Sequence, residues 1–141
     1  MNIFDCFMYF DEDLVLDLRL NILNKYVKKF IITESTFLHS GRKKKLNFDP
    51  KNFSKFKDKI EHIVIDQPPA GIEAINQNDS LELKNKKILD NSLKRENNQR
   101  NMLIKGLSQA HDNDLILSSD LDEIPNLKNF TFKNKITLFE Q

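Results

Sequence analysis

Leu115-Ile116-Leu117-Ser118-Ser119-Asp120-Leu121-Asp122-Glu123-Ile124-Pro125 is the stretch whose reading decides the fold. Three apolar residues run into two small serines, then into carboxylates, and a proline closes the segment. An unbroken apolar run reads as a strand buried on both faces, as the strands of parallel sheets are. Two aspartates and a glutamate at its end would crowd like charges together, at a cost in repulsion. A hard divalent cation such as Mn²⁺ or Mg²⁺ removes that cost, because it prefers carboxylate oxygens and also takes phosphate oxygens. A solvated acidic turn before Pro125 is the plain alternative.

The chain holds two other Asp-x-Asp triplets, Asp11/Asp13 and Asp112/Asp114. The first begins a predicted helix, where acids suit the dipole and the free N–H groups. The second lies in the turn His111-Asp112-Asn113-Asp114, and Asp and Asn are ordinary turn formers. Neither needs a metal.

Outward from the acidic stretch, short apolar runs alternate with helical spacing. Strands are expected over Ile3–Phe10, Lys28–Thr33, His62–Asp66 and Asp114–Ser119, with one or two more in Phe130–Phe139. A helix is expected over Asp11–Tyr26, with Val15, Leu18, Ile22 and Tyr26 on one face. Asn52–Lys59 suggests a short helix. A long helix is expected over Asn91–Ala110, with Met102, Leu103, Gly106 and Leu107 inward. Gln67–Leu89 is polar and weakly periodic, and reads as a long loop with some helical turns. The alternation predicts an α/β fold, a mainly parallel sheet flanked by helices. Such sheets bind ligands beyond the carboxyl ends of their strands. Glu34-Ser35, Asp66-Gln67 and Asp120-Leu121-Asp122 fall there.

The bulk composition narrows the function. With 141 residues the chain suits one domain, and 22 basic against 21 acidic residues give no reason to expect nucleic acid as partner. The eleven phenylalanines lie chiefly in apolar runs and are expected in the core. With a single cysteine, Cys6, the chain has no internal disulfide or thiolate zinc site, and Cys6 reads as a buried structural thiol. Three glycines admit neither a dinucleotide-binding Gly-x-Gly-x-x-Gly nor a P-loop, for neither pattern occurs. His39, His62 and His111 lack metal-ligand spacing. No apolar run reaches the ~20 residues of a membrane span, and no signal peptide is apparent, so a cytoplasmic location is expected.

Four segments together carry a resemblance. They are Phe4-Asp5-Cys6-Phe7-Met8-Tyr9-Phe10 leading to Glu12, Leu14 and Arg19-Leu20; Phe30-Ile31-Ile32-Thr33-Glu34-Ser35-Thr36-Phe37 followed by His39-Ser40-Gly41 and the lysines; Arg95-Glu96-Asn97-Asn98-Gln99-Arg100-Asn101; and Leu115 to Pro125. In this order the chain resembles glycosyltransferase family 17, whose eukaryotic members are β-1,4-mannosyl-glycoprotein β-1,4-N-acetylglucosaminyltransferases. Met8 departs from an expected proline, and Arg42–Lys45 is wholly basic where the family tends to alternate lysine with proline.

The resemblance implies a GT-A fold, a Mn²⁺- or Mg²⁺-dependent inverting transfer, a nucleotide-sugar donor (UDP-GlcNAc in characterised relatives) and a glycan acceptor. It places Asp120 and Asp122 as metal ligands. Glu34, Ser35, Lys44, Arg95 and Arg100 are candidates for binding the donor, with Lys43 and Lys45 beside Lys44 in the basic loop. Glu123, Glu96 and Glu12 are candidates for supporting the site from behind, and Arg19 for the same role or a helix-surface charge. Glu96 and Arg100, four apart, also suit an intrahelical ion pair. In GT-A enzymes the base and acceptor site usually follow the Asp-x-Asp, and only Asn126–Gln141 follow it here. The expectation is a single GT-A nucleotide-sugar-binding domain, truncated after the Asp-x-Asp region and lacking the acceptor-binding part and the catalytic base. The runner-up is a non-catalytic nucleotide-sugar-binding module. A haloacid-dehalogenase-type phosphotransferase is disfavoured, because Asp11-Glu12-Asp13-Leu14-Val15 lacks its threonine and starts a helix at once.

Overall fold

The computed structural model describes residues 1–139. Four strands form, each from an apolar run: β1 Ile3–Met8, β2 Lys29–Ser35, β3 Ile60–Ile65 and β4 Leu115–Ser118. All pair in parallel in the order β3-β2-β1-β4. Cys6 pairs with Ile31 on one side and Ser118 on the other, so β1 is central. The architecture is an α/β fold with the parallel sheet of a GT-A-like, Rossmann-like arrangement.

The strands alternate between two cores. Phe7, Phe30, Ile32 and Leu117 pack with Leu16, Leu20 and Leu23 of helix α1, Asp13–Leu23. Phe48, Phe53 and Phe56 extend this core from the connection before β3. Phe4, Cys6 and Ile31 face the other way, onto Leu103. Cys6 is buried, and burial pushes its thiol up to about 12.

The second layer is α2, Leu81–Asn101, continued by a tighter 3₁₀ stretch, Met102–Leu107. Gly106 sits where a Cβ would lie 2.4 Å from Ile31 Cγ2, so its bareness lets the stretch close on the sheet. Among the described residues, no helix is long and apolar enough to cross a membrane.

Four sequence expectations need correction. The inward face of α1 is Leu16, Arg19, Leu20 and Leu23; Leu18 and Ile22 are exposed. The stripe is displaced because Arg19, open in the sequence between a supporting role and a helix-surface charge, points into the core. The loop expected over Gln67–Leu89 ends at Ser80, whose Oγ accepts from Leu83 N at 3.2 Å and caps α2. Its periodicity gives no signal because residues 81–90 bury no side chain at all: Leu81, Leu83, Ile88 and Leu89 are exposed, and the first buried side chain of α2 is Asn91. Asn52–Lys59 yields only a single 3₁₀ turn, Ser54–Phe56. Phe130–Phe139 forms no strand; Phe130 instead meets Phe132 and Phe139 at ring separations of 4.8 and 4.9 Å. Phenylalanine pairs of this kind gain from ring contact without sheet pairing.

Candidate functional site

The strand order fixes where a ligand can sit. From β1 the chain builds outward through β2 to β3, then crosses back to place β4 on the far side of β1. The order therefore reverses between β1 and β4, and a crevice opens beyond their carboxyl ends. A cleft of about 730 Å³ lies there. Met8, Tyr9 and Phe10 line it from the end of β1, and Asp120, Leu121 and Asp122 from the end of β4. Ser35, Lys44, Glu12, Glu96, Gln99 and Arg100 complete much of the wall.

The acidic loop is held from below by one side chain. Arg19 is wholly buried, and its guanidinium meets Asp5 in two parallel bonds, Nε to Oδ2 at 2.9 Å and Nη2 to Oδ1 at 2.8 Å. Both carboxylate oxygens accept, the arrangement of the ionised pair. Burial pushes the Asp5 carboxyl up, while the hydrogen bonds and charge of Arg19 pull it down. The remaining donors reach the loop. Nη1 points at the carbonyl oxygens of Asp120, Leu121 and Glu123, at 2.8, 3.0 and 3.1 Å, and Nη2 donates to Ser119 Oγ at 2.8 Å. With these carbonyls turned inward, the carboxylates of Asp120 and Asp122 are exposed at the cleft. Glu123 Oε2 accepts from Asp120 N at 3.0 Å and closes the turn.

A second buried carboxylate holds the opposite wall. Glu34, with no exposure, accepts from Lys44 Nζ at 2.6 Å and from the backbone N–H groups of Asn47 and Phe48 at 2.6 and 3.2 Å. His62 Nε2 lies 3.3 Å from Glu34 Oε2 but is not aligned for a hydrogen bond. Burial holds His62 below its ordinary value, as does the nearby Lys44 charge, against the pull of Glu34. Asn47 Nδ2 ties the same loop to Phe10 O at 2.6 Å. Lys44 thus stands at the cleft with its charge matched from behind.

A family model, Glycosyltransferase family 17, matches residues 1–136. The chain belongs to glycosyltransferase family 17. No curated protein and no solved structure matches it. Family 17 membership makes the chain a glycosyltransferase, an enzyme class that takes a sugar donor and an acceptor.

Within this family 17 fold, the predicted site residues divide. Asp120, Asp122, Ser35, Lys44, Arg100, Glu96 and Glu12 converge on the cleft. Arg100 reaches Asp120 Oδ1 at 3.4 Å and Glu96 Oε1 at 3.5 Å, long and exposed contacts. Glu12 Oε2 accepts from the N–H groups of Phe10 and Asp11, at 3.1 and 3.0 Å, and so shapes the lip. Glu34 does not line the cleft; its oxygens are turned to Lys44 and the 47–48 backbone. Arg95 also lies apart. Its Nη1 donates to His39 O at 2.9 Å, and its guanidinium packs against Gly41, whose φ of 90° makes the turn between Phe37 and Lys43. Of the other two triplets, Asp13 stands in the first turn of α1, whose N-terminus has no side-chain cap, and accepts from Tyr9 Oη at 2.6 Å, while Asp114 closes the predicted turn by accepting from Asn2 N at 2.6 Å and His111 N at 3.1 Å.

Sequence reasoning did not single out Asp5, Gln99 or the His62 contact. Asp5 carried a readable signal, an acid amid an apolar strand, which requires a buried cation. Gln99 donates to Thr33 O at 3.0 Å and joins α2 to the end of β2.

As a donor set for a cation, Asp120 and Asp122 supply exposed hard oxygens at an open cleft. Among the described residues, no group of three or more His, Cys, Asp or Glu side chains is placed to hold a metal. Two exposed carboxylates could supply part of the oxygen shell of an ion such as Mn²⁺ or Mg²⁺, the rest of which phosphate oxygens and water would have to fill.

Proposed function

We propose that the cleft binds a nucleotide-sugar donor with a divalent cation at Asp120 and Asp122, and that the enzyme passes the sugar to a glycan hydroxyl. The observation that carries this reading is the exposure of both carboxylates at the β1/β4 crevice, facing the cations Lys44 and Arg100 across one cleft. A purely cationic cleft would suit any anion. The mixture of paired carboxylates with basic residues suits a diphosphate accompanied by a metal. The family resemblance supports GlcNAc as the sugar and UDP as the nucleotide.

Bound there, Mn²⁺ or Mg²⁺ would act as a Lewis acid toward the charge that develops on the departing diphosphate. The chain's own residues do the rest of the placing. Lys44 presents a positive charge whose position Glu34 fixes. Arg100, on the last turn of α2, faces the same space and is free to leave its long contact with Asp120 for a phosphate oxygen. Ser35 offers a hydroxyl at the end of β2 for a ribose or base group, although its Oγ also accepts from Phe37 N at 3.0 Å. Tyr9, Phe10 and Phe37 give the cleft apolar wall area against which a base or sugar can lie.

Calorimetric titration of UDP-GlcNAc and UDP-hexoses, with and without Mn²⁺, tests the reading on wild type and Asp122→Ala. Metal-dependent binding that disappears in the variant is expected. Binding indifferent to both metal and Asp122 overturns it. Binding without transfer would favour a donor-binding module, a reading favoured by the prior engagement of the cleft's other acids: Glu12 with backbone N–H groups and Glu96 with Arg100.

A further inference from the structure

Arg19 and Asp5 do not line the cleft, yet Arg19 bonds four residues of the acidic loop, Ser119, Asp120, Leu121 and Glu123, and Asp5 holds Arg19 in place. Three features set them apart from an ordinary core ion pair. First, Nη1 gathers carbonyls from Asp120, Leu121 and Glu123, residues that bracket both carboxylates of the donor set. A loop whose carbonyls converge on one point has little freedom to change the spacing of its side chains. Second, Ser119 Oγ accepts from Arg19 Nη2 at 2.8 Å and lies 3.1 Å from Glu123 O, which closes the bracket. Third, the guanidinium charge is cancelled within the core by Asp5, itself without exposure. An uncompensated guanidinium under the loop would repel a divalent cation through a medium that screens poorly. A neutral hydrogen-bond donor in its place could not satisfy so many carbonyls.

We infer that the Asp5–Arg19 pair is a charge-neutral clamp that sets the divalent-cation affinity of the Asp120–Asp122 loop, Arg19 by fixing its shape and Asp5 by cancelling the charge. This rests on the donor-site reading above. Arg19 and Asp5 are positioning residues in this scheme, since they act through the loop. Removing a supporting contact behind metal ligands commonly weakens the metal by about 10- to 100-fold.

The test reads metal affinity directly. Mn²⁺ is titrated into the full chain, with and without UDP, and the free ion is followed by electron paramagnetic resonance. The proteins are wild type, Asp5→Asn, Arg19→Lys, Ser119→Ala and Asp122→Asn, each checked for its fold by circular dichroism. Asp5→Asn keeps a hydrogen-bond acceptor for Arg19 but leaves its charge uncancelled, and is expected to weaken Mn²⁺ by about tenfold. Ser119→Ala removes the bond from Arg19 and the hydroxyl's own donation to the loop carbonyls from a half-buried position, and is expected to fold and to weaken Mn²⁺ by about fivefold, the net worth of a hydrogen bond. Ser119→Ala decides the matter where the buried variants fail to fold. UDP binding measured without metal should be unchanged in Ser119→Ala, and in folded Asp5→Asn it should not weaken, because the uncancelled charge that repels a cation attracts a diphosphate. Should wild type bind Mn²⁺ and Asp122→Asn lose it, while folded Asp5→Asn and Ser119→Ala bind as wild type does, the clamp is refuted and the donor site stands. Should wild type not bind Mn²⁺ with or without UDP, the donor-site reading falls and the clamp with it.

Discussion

Lys44 Nζ lies 2.6 Å from Glu34 Oε1, and the carboxylate is wholly buried while the lysine borders the cleft. One ion pair therefore joins the core to the ligand space. Glu34→Gln keeps the shape and removes the charge, so Lys44 loses its partner at a site only 11% exposed. Breaking such a pair is expected to cost about 3 kcal/mol of stability. Urea unfolding reads this as a lowered midpoint; an unchanged midpoint would show that the pair contributes nothing.

His62 gives a pH dependence of known sign. Its folded value lies below the ordinary 6.5, chiefly through burial, so the folded state prefers the neutral ring. The stability from this preference is complete above 6.5 and is lost as pH falls from there through the depressed folded value. Melting temperature should therefore drop as pH falls below 6.5, and His62→Gln should flatten that part of the profile. Asp114, lowered by the backbone N–H groups of Asn2 and His111, acts in a separate window below 3.8. A profile of equal slope in wild type and His62→Gln would remove His62 as the cause.

Gly106→Ala sets two effects against each other. Alanine is the better helix former by about 1 kcal/mol. Its Cβ would meet Ile31 at 2.4, 2.9 and 3.0 Å, on the sheet side where no solvent can take up the shift. Overpacking of this kind costs about 1–3 kcal/mol, and the clash wins because Ile31 is itself fully buried. A lowered melting temperature is expected; a raised one would mean that the 3₁₀ stretch can retreat from β2.

Arg100→Ala separates binding from folding. The contacts of Arg100 with Glu96 and Asp120 are 3.5 and 3.4 Å long, with side chains 37% or more exposed. Exposed pairs of this sort contribute about 0–1 kcal/mol, so thermal stability should barely move. UDP affinity in the presence of Mn²⁺ should fall, since the residue faces the cleft. Equal affinity in wild type and variant would confine Arg100 to a surface role.

The parts of the fold that the sequence made legible are those built by apolar runs. β1 and β2 announce themselves because strands buried on both faces need largely hydrophobic residues. β4 shows the same apolar run, but it is an edge strand with Ile116 exposed, not the strand buried on both faces that the run suggests. Where polar side chains occupy the interior, the pattern misleads. Arg19 shifts the apparent face of α1. The first half of α2 shows no apolar stripe because residues 81–90 bury no side chain. Of the cleft residues, Asp120 and Asp122 stand out from local context, just past an apolar run, whereas Lys44 and Arg100 are named only through the family resemblance. That Glu34 serves Lys44, and that Arg95 serves the turn at Gly41, depends on contacts 10 and 56 residues apart in the chain. Such pairings follow from how strands are ordered, which spacing along one sequence does not encode.

Cys6, the sole cysteine, lies at the centre of the sheet with strands on both sides. Its Sγ is closed off by the layer that carries Leu103. A thiol reagent can reach it only after that layer lifts or the sheet comes apart, and then only the opened fraction of molecules reacts. The chain therefore carries an internal clock: the rate at which a disulfide-exchange dye labels Cys6 in native buffer measures how often the sheet is exposed. Slowing of that rate by a nucleotide diphosphate would register ligand binding from inside the protein, with no probe added to the cleft.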